Sequence, residues 1–358
     1  MIFCKEMNSS INIGKHLIGK DQPCFIIGEI GSNHNRDKET VIQLIDACAE
    51  AGFDAVKFQI YDAEEAFSKN EMTTDVKLDH LYGVKPWWEV ARDVILMPRE
   101  WFGEMFVYAR EKNLIPLSAI HRKEDADFLL EFDLPAFKIA SIDLYYHHLL
   151  KQLAAYKKPM IISTGMAYMY EIEETMNLLE QEDVHDIILL HCVSCYPPRP
   201  DQLNMRNISM FKNIYDIPIG FSDHSTGTTS AAVAVALGAK VIEKHITLDK
   251  TYRGPDHPFA LEPDEMKQLV QVVRETEQSM GFEQRIISDD EKDARKMIRR
   301  SIVLKVDLKK GNKITIDKIK FARPGTGIPT NEFKFVDGRE VKQNLLAENV
   351  LEDGILVT

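Results

Sequence analysis

Two histidines, two lysines and several hydroxyl residues in this 358-residue chain stand where short apolar runs end. His224 follows the run IPIGFSD and His245 lies at the end of KVIEKHI. If these runs are neighbouring strands, both imidazoles come within reach of one ion. A pair of hydrogen-bonded structural histidines is the alternative. Mixed imidazole and oxygen ligation with open positions suits a divalent cation acting as a Lewis acid. Lys57 and Lys138 lie in two further runs, AVKFQI and AFKIAS, with Ser141, Ser163 and Ser222 at or beside run ends. Two cations among hydroxyl donors match a small polyanion, such as a phosphate ester that also bears a carboxylate. A strand lysine can instead form a Schiff base, as in aldolases. That chemistry needs only one lysine and leaves the histidine pair without a task. Glu29 and Gln59 complete the polar set. A charge inside an apolar strand is costly unless paired, so these repeated placements point to one shared polar centre.

The elements that must position them are eight short β-rich runs: 25–31, 55–60, 115–120, 136–141, 160–165, 187–193, 217–223 and 240–246. They are almost continuously apolar, as parallel strands covered on both faces should be. Amphipathic stretches separate most of them. One, KETVIQLIDACAEAG, puts Val41, Leu44, Ile45 and Cys48 on one face and ends at Gly52. Eight alternating β and α units predict a (β/α)₈ TIM barrel over residues 1–281, whose chemistry would gather at the C-terminal strand ends. A doubly wound open sheet is the alternative, but no G-x-G-x-x-G follows the first strand. Residues 282–298 are charged and read as a linker. Residues 299–358 show short strands and Lys-Gly and Pro-Gly turns, a small and mostly β domain. A long insertion, 61–98, separates the second and third strands, as lids and binding loops often do.

Bulk properties exclude several classes. The net charge of −12 opposes nucleic-acid binding, which needs a basic surface. No run of about 18 apolar residues suggests a membrane span, and the N-terminus lacks the apolar core of a secretory signal. The cytoplasm is the expected location. Cys192 and Cys195 form a C-x-x-C, but a zinc site would need a second pair. Redox pairs usually open a helix, whereas these close a strand-like run. From residue 299 onward there are 12 Lys and Arg against 8 Asp and Glu, so this segment carries +4 and the remainder −16.

The motifs EIGSNHN (29–35), DAVKFQ (54–59), FKIAS (137–141), STGM (163–166), GFSDHS (220–225), ALGAKVIEKH (236–245) and GPDH (254–257) occur in one order along the chain. In that order the chain resembles the N-acetylneuraminate (sialic acid) synthases and their legionaminic, pseudaminic and spore-coat relatives. The tail, SIVLKVDLKKGNKIT with ARPGTGI, is similar to their antifreeze-like (SAF) domain. The resemblance implies a synthase that condenses phosphoenolpyruvate with an N-acylated hexosamine to give a nonulosonic acid. It implies Mn²⁺, with Mg²⁺ or Co²⁺ as substitutes, on His224 and His245. Phosphoenolpyruvate contacts fall on Lys57, Lys138, Ser141, Ser163 and Ser222. Sugar contacts fall on Glu29, Gln59, Tyr196, Asp256 and Arg323, the last from a partner in a domain-swapped homodimer. Asp143 occupies the place of a family glutamate near the substrates, and the resemblance makes it catalytic together with Lys57 and Glu29, the candidate for proton transfer.

Three motifs depart from the pattern. Ala119 and Ile120 stand where the family often has Thr-Pro, removing one hydroxyl contact that His121 or Arg122 would have to replace. Ser194 stands for Asn or Thr, and Phe259 lies in an altered FALEPDE. Together these lean toward the spore-coat-type branch. A Schiff-base or metal-dependent sugar aldolase or isomerase is the alternative activity. A binding protein that has lost catalysis is the third reading, opposed by the intact Glu29, Lys57, Lys138, His224 and His245 set.

Overall fold

Parallel strands buried on both faces close on themselves in this protein. The structure is a computed structural model that describes residues 7–282 and 284–355. Residues 1–6, part of the N-terminal stretch considered above, lie outside them, as does Cys4. A hairpin comes first, β1 (Ser10–Ile13) and β2 (His16–Gly19). The barrel strands follow: β3 (Phe25–Glu29), β4 (Ala55–Ile60), β5 (Ile115–Ile120) and β6 (Phe137–Ile139). They continue with β7 (Met160–Ser163), β8 (Ile187–Cys192), β9 (Ile219–Asp223) and β10 (Val241–His245). Each pairs with its sequence neighbour in parallel, and β10 closes on β3. The expected barrel is therefore present, with strands one or two residues shorter at some ends.

The helices between strands bear the marks of their sequence. In Lys38–Ala51 the Asp37 side chain caps the amides of Glu39 and Thr40, and Gly52 ends the helix at φ 86°. Its buried face, Val41, Leu44, Ile45 and Cys48, packs into the layer between barrel and helices. The last barrel helix, Pro263–Met280, starts with a capping box between Glu262 and Glu265.

The β1–β2 hairpin is absent from the strand pattern anticipated above. Ile11, Ile13 and Ile18 form one cluster with the lowest inward residues of the barrel, among them Phe25, Leu117, Ile161 and Ile188. The hairpin is thus an apolar plug. At about 1.5–3 kcal/mol for each fully buried isoleucine, it closes the end opposite the chemistry. The insertion 61–98 carries its own apolar cluster of Trp87, Val90 and Ile95, with Phe67, Leu78 and Tyr82 against it.

The chain divides into two compact units, Met1–Gly281 and Phe282–Thr358. In the second, β11 (Ser301–Leu304) pairs antiparallel with β12 (Ile319–Ala322). Isolated bridges tie Val303 to Val350 and Leu308 to Leu345 around a core that includes Ile302, Ile314 and Val341. The stretch read as a linker contains a helix, Asp289–Ile298, capped by Ser288. The Gly325 amide donates to the Lys296 carbonyl, so this helix is fastened to the second unit. Its many charges reflect exposure on most sides rather than absence of structure.

Candidate active site

Strand alternation decides which of the polar residues meet. Successive side chains point to opposite faces, so Lys57 with Gln59, Ser222 with His224, and Glu243 with His245 share the inward face. These six line a cavity of about 1300 Å³ at the C-terminal mouth. Glu29, Lys138, Ser141, Asp143, Tyr196 and Asp256 line it too. Ser163 touches it through Lys138, whose ammonium donates to the Ser163 hydroxyl at 2.7 Å. Arg323 belongs to the second unit, just after β12.

The same rule removes other strand-end residues from the site. Asp223 and Lys244 face outward and pair with each other at 2.8 Å, both buried beneath the helices. His191 stacks on Phe221 and bonds the Leu203 carbonyl at 2.7 Å, which makes it a structural histidine. The Thr164 hydroxyl donates to the Leu190 carbonyl. Asn33 donates to the Ile246 carbonyl, and His34 accepts from the Arg36 amide.

At the bottom of the cavity lies a charge cluster. Lys57 Nζ is 2.6 Å from Glu29 Oε2 and 3.7 Å from Glu243 Oε1. Lys138 Nζ is 3.9 Å from the same Glu243 oxygen, to which Ser222 also donates at 3.2 Å. Gln59 donates to Glu29 Oε1 at 2.6 Å. Burial raises the Glu29 carboxyl to about 7, against the opposing pull of Lys57. Burial pushes Glu243 the same way, but Lys138 and Lys57 outweigh it and hold that carboxyl below its usual range. Burial lowers Lys138. It also pulls on Lys57, where Glu243 and Glu29 prevail and raise the ammonium. The raised Lys57 ammonium and the lowered Glu243 carboxylate thus stay charged in an enclosed space, with Glu29 able to exchange a proton near neutrality.

Glu243 is one of three successive polar residues, with Lys244 and His245, that end β10. Its spacing of two from His245, which places both inside, is the signal that separates it from Lys244. Cys192 and Tyr61 also line the cavity without having been singled out for it.

The histidine pair sits above this cluster. The His224 and His245 ring centroids are 5.3 Å apart. His224 Nδ1 lies 3.1 Å from the Val193 carbonyl, which leaves Nε2 as its ligand atom. His245 Nδ1 is buried without a hydrogen-bond partner, its nearest carboxylate oxygen being Asp256 Oδ2 at 3.8 Å. Burial, then His224 and Lys57, hold His245 well below the usual histidine range and so neutral. A neutral imidazole with an orphaned buried nitrogen fits a metal ligand. Among the described residues no group of three or more His, Cys, Asp or Glu converges on one ion position. The fit is therefore to an open, two-imidazole site whose other ligands would be substrate or water.

On the β5 wall, Ala119 pairs in register with Lys138 and supplies no hydroxyl. Arg122 is committed to Asp125, at 3.0 Å through two nitrogens, and to Glu65 at 2.9 Å. His121 Nδ1 lies 2.7 Å from Asp143 Oδ2. Cys192 and Cys195 are both free thiols.

Comparison with known proteins adds to this geometry. The profile of the NeuB family matches residues 44–285, and that of the SAF domain matches 299–352. The spore coat polysaccharide biosynthesis protein SpsE of Bacillus subtilis is 36% identical over 335 residues, covering 88% of each chain. The N,N'-diacetyllegionaminic acid synthase of Legionella pneumophila is 33% identical over 337 residues, 93% of this chain and 94% of that protein. The crystal structure of N-acetylneuraminic acid synthetase from Leptospira borgpetersenii, in complex with citrate, superposes with a TM-score of 0.71. It is 31% identical and covers 81% of this chain and 96% of its own.

Proposed function

Because the chain belongs to the NeuB family and carries its SAF domain, we propose that it joins phosphoenolpyruvate to an N-acylated hexosamine. The acceptor is N-acetylmannosamine or a 2,4-diacetamido-trideoxyhexose, and the products are a nonulosonic acid and phosphate. The observation that carries this reading is the convergence of Lys57 and Lys138, with Ser163 and Ser222, at the floor of a cavity roofed by two histidines. Among the relatives, a legionaminic acid synthase and an N-acetylneuraminate-9-phosphate synthase bear names of this reaction type.

In this reading Lys57, Lys138 and the serines bind the phosphate and carboxylate of phosphoenolpyruvate and set its methylene carbon toward the mouth. Gln59, Tyr196 and Asp256 hold the sugar above it. C3 of phosphoenolpyruvate attacks the aldehyde carbon, and C2 is left as an oxocarbenium centre stabilised by Glu243. Water adds at C2, and Glu29 takes one of its protons and passes it to the alkoxide left on the former aldehyde oxygen. The C2 hydroxyl proton goes to phosphate as the C2–O bond breaks and C2=O forms. His224 and His245 would hold a divalent ion, Mn²⁺ in this proposal, which supplies Lewis-acid polarisation of the carbonyl when bound. The protein works as a homodimer in which the partner's Arg323 reaches the sugar. The half-exposed Tyr146 and Tyr196 on the rim suit such a cover. Phosphoenolpyruvate supply places the reaction in the cytoplasm, and no helix among the described residues is long and apolar enough to cross a membrane.

The test is phosphate release from phosphoenolpyruvate with each acceptor in turn, and release with neither sugar overturns the proposal. A Schiff-base aldolase is the second reading, favoured by the lowered Lys138. Borohydride with an aldehyde or keto substrate would then trap a covalent adduct on Lys138, whereas the condensation reading expects none.

A further inference from the structure

We propose that His121 and Asp143 form an acid–base dyad that opens the acceptor ring, so that the cavity generates its own free aldehyde. The inference rests on the synthase reading above. An N-acylated hexosamine exists mainly as a cyclic hemiacetal, and only its open form offers an aldehyde carbon for attack.

His121 stands two residues beyond Ala119, the position paired in register with Lys138. It therefore lines the cavity one inward step nearer the mouth than the phosphate-binding layer. Its Nδ1 is 2.7 Å from Asp143 Oδ2, and the two side chains are only 14% and 10% exposed. The Tyr61 ring packs edge-on against the imidazole at 5.4 Å between centroids. The ring is thus fixed through one nitrogen and one face. Nε2 has no hydrogen-bond partner among the described residues and is the atom left for a ligand. A carboxylate on one nitrogen sets the tautomer and supports a transient imidazolium, the arrangement that makes histidine a general base. Neighbouring Arg122 is occupied by Asp125 and Glu65.

The step balances within the dyad. The imidazole removes the proton of the anomeric hydroxyl, and C1=O forms as the bond from C1 to the ring oxygen breaks. The imidazolium returns that proton to the ring oxygen, which becomes a free hydroxyl. No electron is gained or lost, and the dyad ends as it began.

Exchange NMR on N-acetylmannosamine and on the 2,4-diacetamido-trideoxyhexose, with inorganic phosphate and no phosphoenolpyruvate, reads interconversion of the α and β anomers through the open form. Wild-type protein should accelerate it for at least one sugar. H121F and H121Q should lose the acceleration by about 10²- to 10⁴-fold, with melting curves by circular dichroism matching wild type. D143N should lose it in part. No acceleration by wild type, or wild-type acceleration by folded H121F and H121Q, overturns the dyad. Phosphate release measured on the same samples separates the two readings. Release without exchange sinks the dyad alone, exchange without release sinks the synthase reading alone, and neither sinks both.

Discussion

Lys57 Nζ stands 2.6 Å from Glu29 Oε2, and both side chains are almost wholly buried. One ammonium therefore answers two enclosed carboxylates, since Glu243 Oε1 lies 3.7 Å from it on the other side. K57M would leave both carboxylates short of a partner. Removing one member of a buried pair typically costs about 3–5 kcal/mol. Urea unfolding of K57M should show a loss of that order, together with loss of phosphate release. Wild-type stability in K57M would mean that the two carboxylates do not depend on this ammonium.

The raised Glu29 carboxyl gives a pH signature. Its ordinary value is 4.5 and its folded value about 7. Between these the folded protein holds a proton that the unfolded chain has released. The contribution of neutral Glu29 is thus fully present below 4.5 and is lost as pH rises through 7. In metal-free protein, wild type should lose on the order of 1–3 kcal/mol more than E29Q across this window. Parallel stability curves for the two proteins would contradict the assignment.

The histidine pair makes the metal testable. H224A and H245A should each abolish divalent-ion-dependent turnover while near-ultraviolet circular dichroism stays native. A chelator should silence wild type, and Mn²⁺ should restore it. Turnover by either variant at the wild-type rate would remove the metal role.

Lys244 provides the contrast, because its ammonium pairs with Asp223 outside the barrel at 2.8 Å. K244M should destabilise the protein by about 3–5 kcal/mol yet leave KM for phosphoenolpyruvate unchanged in the folded fraction. A large rise in KM would mean that alternation has been misread on β10.

Much of this was legible in the sequence, and what was not has physical reasons. Strands buried on both faces stand out as apolar runs, so the barrel follows from pattern alone. The β1–β2 hairpin does not, because its strands are only four residues long, β1 alternates buried isoleucine with exposed polar residues, and β2 leaves Leu17 exposed beside buried Ile18. His224 and His245 could be paired because each ends a strand. Sorting Glu243 from Lys244 required knowing which face of β10 looks inward. The partners of Arg122 and His121 come from other segments, Glu65 in the insertion and Asp143 after β6. Such contacts depend on three-dimensional closure and leave no local spacing to read.

The central claim is most directly tested with phosphoenolpyruvate carrying ¹⁸O in the bridging position, incubated with Mn²⁺ and each acceptor sugar. The account predicts one nonulosonic acid per inorganic phosphate, with the heavy oxygen entirely in the phosphate. Heavy oxygen retained in the sugar acid, or phosphate formed without it, would contradict the account.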